Sequence, residues 1–187
     1  IDGETWKPIV SNQLPAAKDG EAAFAASGTC LYISPANGDL FLVSGGSDAR
    51  VFKSTDRGKS WTVATTLIVK GTPGSGIFSI AMSNAKNGVI VGGNYEKPSE
   101  AANALAFTSD GGITFQAAEG LSGYRSGVAY LDSKTLVAVG TNGSDISNDR
   151  GATWKRIGDE NLNAVAAKGN KAVWVVGPKG AVFKFKN

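Results

Sequence analysis

Ser54-Thr55-Asp56-Arg57-Gly58-Lys59-Ser60-Trp61 reads as a tight turn between two strands. Val51 and Phe52 lead into it with strand-forming side chains. Asp56 can accept hydrogen bonds from amides of its own turn, and Gly58 can take the positive φ such a turn needs. Trp61 then opens the next strand with a large apolar ring. The pattern S/T-x-D-x-G-x-S/T-W/F recurs in Thr108-Ser109-Asp110-Gly111-Gly112-Ile113-Thr114-Phe115 and in Ser147-Asn148-Asp149-Arg150-Gly151-Ala152-Thr153-Trp154. Gly3-Glu4-Thr5-Trp6 keeps the second half of it, with Ile1 where the aspartate would stand.

The three motif aspartates, Asp56, Asp110 and Asp149, are 54 and 39 residues apart. That spacing belongs to propellers and other arrays. Each unit of about 40 residues offers four short strands, a to d. Strand a falls in residues 23–27, 77–82, 127–131 and 164–167, small and apolar as a crowded position near an axis requires. Strand b, ending in glycine, falls in 40–45, 89–93, 136–140 and 172–177. Strand c precedes the turn, in 50–54, 104–108, 145–147 and 181–185, and strand d begins at Trp61, Phe115 and Trp154. Four antiparallel strands per unit without a helical period predict an all-β fold, a β-propeller of four-stranded antiparallel blades. About four blade units make one domain or a partial ring, over roughly 11–64, 75–118, 124–157 and 162–187 plus 4–10. The last unit has a, b and c only, and residues 5–10 read as a d strand without its partners. The last blade is therefore completed by the N-terminal strand or by another segment, which removes exposed edges. The chain either closes on itself or is part of a larger ring. Ile1, standing inside a turn motif, points to the second history.

Composition narrows the chemistry. The 25 glycines among 187 residues fall between short apolar runs, as turn residues do. No apolar run reaches the roughly 18 residues of a membrane span. The net charge of +3 is spread along the chain without a basic run interleaved with aromatics, which argues against nucleic acid. There is no histidine, so the commonest general base and metal ligand is missing. The single cysteine, Cys30, excludes an intrachain disulfide, and its apolar setting suits an inert core thiol. No metal site or cofactor is expected. Asp145, Asp149 and Asp159 lack calcium-loop spacing. Asn142-Gly143-Ser144 fits a glycosylation sequon but reads better as a turn.

The repeated turn resembles the Asp-box, or BNR, repeat. The chain as a whole resembles the C-terminal part of bacterial proteins described as photosystem II stability/assembly factor-like, some labelled oxidoreductase or glycosyl hydrolase. Four segments carry that likeness: Gly20 through Cys30, Ala49 through Gly58, Ser75-Gly76-Ile77-Phe78-Ser79 and Tyr124-Arg125-Ser126-Gly127-Val128-Ala129. The resemblance implies a parent ring of about seven blades, an extracytoplasmic setting (periplasmic or secreted) and, for the photosynthetic members, protein partners. It does not imply chemistry. Asp boxes also occur in sialidases, whose catalytic set includes an arginine triad. Of the five arginines here, Arg57 and Arg150 lie inside Asp turns, and the Phe/Tyr-Arg-Ile-Pro segment that opens those domains is absent. No Gly-rich strand-to-helix turn supports a dinucleotide site.

Whether the chain is an enzyme stays open, with the residues favouring no. The three motif aspartates sit in separate turns and cannot converge on one substrate. The reading preferred is a non-catalytic binding or scaffolding propeller for a protein or glycan partner. The d–a and b–c loops share one face and carry the insertions. On it, Glu21, Tyr95, Lys97, Tyr124, Arg125 and Asn163 are expected to form a polar and aromatic contact surface. Asp56, Gly58, Trp61, Asp110, Gly112, Phe115, Asp149, Gly151 and Trp154 are assigned to the turns. Two alternatives remain. One is a glycan-active enzyme whose essential residues lie on blades absent from this chain; a glycosidase needs two carboxylates about 5 to 10 Å apart. The other is a structural subunit, a homo-oligomer or a partner for missing blades, that assembles by blade sharing.

Overall fold

A computed structural model describes residues 3–7 and 14–185. It is an all-β propeller of four blades, as the repeats predict. β1 (Glu21–Ala22) and β4 (Gly45–Gly46) are two-residue strands. Blade I consists of β2 (Leu31–Ile33), β3 (Leu40–Val43), β5 (Arg50–Ser54) and β6 (Thr62–Thr65). Blade II consists of β7 (Ser75–Met82), β8 (Gly88–Asn94), β9 (Leu105–Thr108) and β10 (Gln116–Ala118), with β4 and then β1 added at the inner edge of β7. Blade III consists of β11 (Gly127–Tyr130), β12 (Leu136–Gly140), β13 (Gly143–Ser147) and β14 (Lys155–Gly158). Blade IV has three strands among the described residues, β15 (Ala164–Lys168), β16 (Ala172–Val176) and β17 (Val182–Lys184). All pairings are antiparallel.

Two expectations about strands are corrected. Strand a of blade I is not residues 23–27 but β2. Residues 25–27 instead form one 3-10 turn, ended by Gly28 at φ 77, and Phe24 leaves the strand path to stack on Phe78. Of the d strand expected over residues 5–10, residues 8–10 lie outside the described residues. Residues 5–7 carry no strand, and Trp6 is exposed. No helix among the described residues is long and apolar enough to cross a membrane, which says nothing of β-barrels.

Each blade turns one face, its front, to the next blade and the other, its back, to the blade before. Alternation along the strands sorts the side chains between them. Phe41, Val43, Val51 and Ala64 of blade I meet Ile80, Met82, Ile90 and Ala106 of blade II. Ala81, Val89, Val91 and Leu105 of blade II meet Val128, Leu136 and Ala138 of blade III. Val137 and Val139 of blade III meet Val165, Val173 and Val175 of blade IV. The hydrophobic driving force is thus spent three times on one kind of joint.

The repeated turn has one construction throughout. Asp56 Oδ1 accepts from the amides of Lys59 at 3.0 Å and Ser60 at 2.9 Å, and its Oδ2 accepts from the Ser60 hydroxyl at 2.6 Å. Ser54 Oγ accepts from the Gly58 amide at 2.8 Å. Thr108, Asp110 and Thr114 reproduce this in blade II, and Ser147, Asp149 and Thr153 in blade III. The Trp61 and Trp154 indoles donate to the carbonyls of Gly58 and Gly151. The glycine that closes strand b also has a reason. A Cβ on Gly92 would run into the carbonyl oxygen of Gly76, and one on Gly140 into that of Tyr124.

Candidate functional site

The d–a and b–c loops gather at one mouth of the central channel, and strand a delivers the side chains that line it. A β-bulge in β7 places Phe78 out of register between Ile77 and Ser79 and aims it at the mouth. Phe24 stacks on it with centroids 3.8 Å apart and planes 6° off parallel. Tyr124 meets Phe78 edge-on at 4.8 Å, and Tyr95 does so at 6.3 Å. Ser27 Oγ donates to the Phe78 carbonyl at 2.6 Å and fixes the bulge. Around this cluster lies a cavity of about 500 Å³, floored by the rings, walled by Ala23, Ala25 and Ala26, and edged by Ser126, Thr141 and Asn163. None of the described residues lining it is charged. Burial pushes the Tyr124 phenol up, against a hydrogen bond from Ser126, so it stays protonated. The Thr141 hydroxyl is buried and has no hydrogen-bond partner among the described residues.

The structure brings Tyr95, Tyr124 and Asn163 together on this cavity. It does not bring the charged residues of the expected contact surface there. Glu21 is buried in an ion pair with Arg50, whose Nε donates to Oε1 at 2.8 Å. Burial works to raise the Glu21 carboxyl, but hydrogen bonds from Arg50, Ser44 and the Lys18 amide outweigh it and hold the pKa down. Arg125 is wholly buried. Its Nε donates to Asp145 Oδ2 at 2.7 Å, and its Nη1 to the Tyr124 carbonyl at 2.6 Å and to Asn142 Oδ1 at 2.9 Å. Its Nη2 donates to Ser122 Oγ at 2.6 Å. Burial lowers the Arg125 pKa against the pull of Asp145, but a guanidinium starts so high that it remains charged. Both residues are struts of the loops, not contact groups. Lys97 is exposed and pairs with Glu100 at 3.3 Å.

Other polar groups of this face are also committed. Asn142 Nδ2 donates to the Pro98 carbonyl at 2.7 Å, tying the b–c loop of blade III to that of blade II, and Gly143 takes φ 133 in the turn behind it. Asp48 is shared between Lys18 and Lys70, which overcome burial and push its pKa well below the usual carboxylate range. Asp145, Asp149 and Asp159 do not come together: Asp145 holds Arg125, Asp149 holds its turn and Asp159 pairs with Arg156. Sequence reasoning missed Phe24, Phe78 and Thr141. The doublet Phe24-Ala25 and the Ile77-Phe78 step read as strand interior, and only the bulge reveals that Phe78 turns to the mouth.

Two solved structures share this fold. YCF48 from Cyanidioschyzon merolae superposes with a TM-score of 0.61 at 20% identity, over 83% of this chain and 49% of that one. The GH74 enzyme of Niastella koreensis does so with 0.60 at 19% identity, over 82% of this chain and 28% of that one. Likeness at these identities establishes the fold alone. The chain spans about half the length of the first and little over a quarter of the second. No family model matches the chain, and no curated protein matches it.

Proposed function

We propose that this propeller is a non-catalytic binding module that takes a segment of a protein partner at the aromatic mouth of its channel. The cavity floored by Phe24, Phe78, Tyr95 and Tyr124 carries this reading. It is concave, mostly apolar and edged by a few neutral polar groups, the usual make-up of a binding pocket. The buried acids of the face, Glu21, Asp48 and Asp145, are each occupied by basic side chains and so do not offer the pair of free carboxylates that glycoside hydrolysis needs. A protein partner is favoured over a glycan by how the rings are used. Phe78 and Tyr124 are buried and Phe24, half-buried, has one face stacked on Phe78, which leaves Tyr95, 45% exposed, as the most open of the four rings. A sugar needs a free aromatic face; an apolar side chain needs only the ring edges and the alanine wall. The Asp-box repeats then serve as fasteners of the scaffold.

The test places a photo-crosslinking phenylalanine analogue at Tyr95 and, as a control, at Ile113 on the opposite, turn-bearing side. The expected result is crosslinking to a polypeptide from position 95 and none from 113, with Asn163→Ala reducing it. Binding of an oligosaccharide that Tyr95→Ala abolishes, with no polypeptide adduct, would overturn the reading.

A further inference from the structure

We propose that the front of blade IV docks on the back of blade I of a second copy of this chain, head to tail. The inference rests on a residue-by-residue repetition of the joints inside the molecule. In blade I the front row is Tyr32, Phe41 and Lys53, followed by Val43 and Val51 on the next row. Lys53 Nζ lies over the Phe41 ring, 5.7 Å from its centroid. In blade IV the corresponding row is Ala166, Trp174 and Lys184, followed by Val176 and Val182. Lys184 Nζ lies over the Trp174 ring at 5.8 Å. The same cation–π pair therefore stands at the same place on both fronts. In blade I it is covered by blade II, whose turn comes so close that a Cβ on Gly112 would reach Phe41 at 2.7 Å. In blade IV Trp174 is 48% exposed.

The back of blade I repeats the back of blade II in the same way. Leu31, Leu42 and Phe52 occupy the positions of Ile80, Ile90 and Ala106, and Ile33 that of Met82. In blade II these side chains are sealed against blade I. In blade I Leu31 is 58% and Ile33 63% exposed. Among the described residues, part of each half of the joint is thus left open: Trp174, Val176 and Val182 on the front of blade IV, and Leu31 and Ile33 on the back of blade I, where Phe52 is already buried beneath Arg50 and Leu42 is half-buried. Exposed apolar faces of this kind mark interaction sites. The occupant that fits each half is the other half, and a second copy supplies it with the register already set. Gly58 of the incoming blade would come over Trp174 as Gly112 comes over Phe41. Such a contact is heterologous: it uses two different surfaces and either closes a ring or runs on.

The test is mass in solution, by light scattering and sedimentation, over a dilution series. The wild-type chain of 19.2 kDa is expected at twice that mass or in a ladder of its multiples, dissociating on dilution. Trp174→Glu and Ile33→Glu, both at exposed positions, are each expected to give folded monomers with wild-type circular dichroism. Mixed together, they should restore a one-to-one complex, because one wild-type front then meets one wild-type back. A wild-type chain that stays monomeric at its highest soluble concentration would overturn the proposal. So would an oligomer that survives either substitution, or a mixture that fails to re-associate.

Discussion

Arg125 and Asp145 form an ion pair with no solvent exposure on either side chain, 2.6 Å from Nη2 to Oδ2. Ser122, Asn142 and the Tyr124 carbonyl take further guanidinium hydrogens, so the charge is both paired and hydrogen-bonded. Arg156 adds a donor to Ser122 and another to the Asn142 carbonyl. One buried guanidinium thereby holds the d–a loop entering blade III against the b–c loop leaving β12, and sets the backbone from which Tyr124 reaches the mouth.

Removing one partner of such a pair strands the other. Arg125→Met or Asp145→Asn is expected to cost roughly 3–5 kcal/mol, the range for breaking a buried pair from one side. The double variant Arg125→Met with Asp145→Asn should lose less than the sum of the singles, because no charge is left uncompensated. Urea unfolding of the four proteins measures this. Additive losses would show that the pair is not coupled.

The turn aspartates predict the acid limb of the stability curve. The Ser60 hydroxyl, and then its amide, hold Asp56 at about 2, and Thr153 holds Asp149 at about 2. Thr114 pulls Asp110 lower still. A carboxyl depressed in the folded state adds stability that is present above its unfolded pKa of about 4 and lost as pH falls through the folded value. The urea midpoint of the wild type should therefore fall between about pH 4 and about pH 2. The Asp56→Asn, Asp149→Asn double variant should start lower and fall less steeply. Parallel curves for the two proteins would remove the turns from the account.

Close approach of the backbone at the end of strand b gives a third expectation. Gly140→Ala forces the carbonyl of Tyr124 aside, and that carbonyl is also an acceptor for Arg125. Overpacking of this kind costs about 1–3 kcal/mol. Gly92→Ala meets the Gly76 carbonyl without such a strut behind it, so its thermal midpoint should drop less than that of Gly140→Ala. The reverse order would mean that the Arg125 network yields freely.

The sequence made the scaffold legible because the turn chemistry is local. Asp56, Asp110 and Asp149 find their partners within four residues, so a motif of eight residues carries the whole interaction. The mouth was legible only in part, because its chemistry is not local. Glu21 and Arg50 are 29 residues apart, and Arg125 and Asp145 are 20 apart. A sequence displays their charge without displaying the partner that removes them from the surface. Phe24 misled for a related reason: in a run of alanines it imitates an inner strand, and only Phe78, brought round by a bulge in another blade, explains why it turns away.

Cys30 supplies a probe of how tightly the first joint is closed. It is 7% exposed, within the core between blades I and II, and its carbonyl accepts from the Val43 amide at 2.8 Å. A thiol packed this way is reached only when the joint opens, so its labelling rate reports the free energy of that opening. An aromatic disulfide reagent should modify Cys30 slowly in buffer and at once in strong urea. Ile80→Ala, which removes a side chain from the same cluster, should speed labelling by on the order of tenfold or more if it weakens the joint by about 1.4 kcal/mol or above. Trp174→Glu, on the far side of the molecule, should leave the rate as it is when both proteins are diluted to monomers. Rapid modification of the native wild type would show that blades I and II part readily in solution, and that the joint is far looser than its buried side chains require.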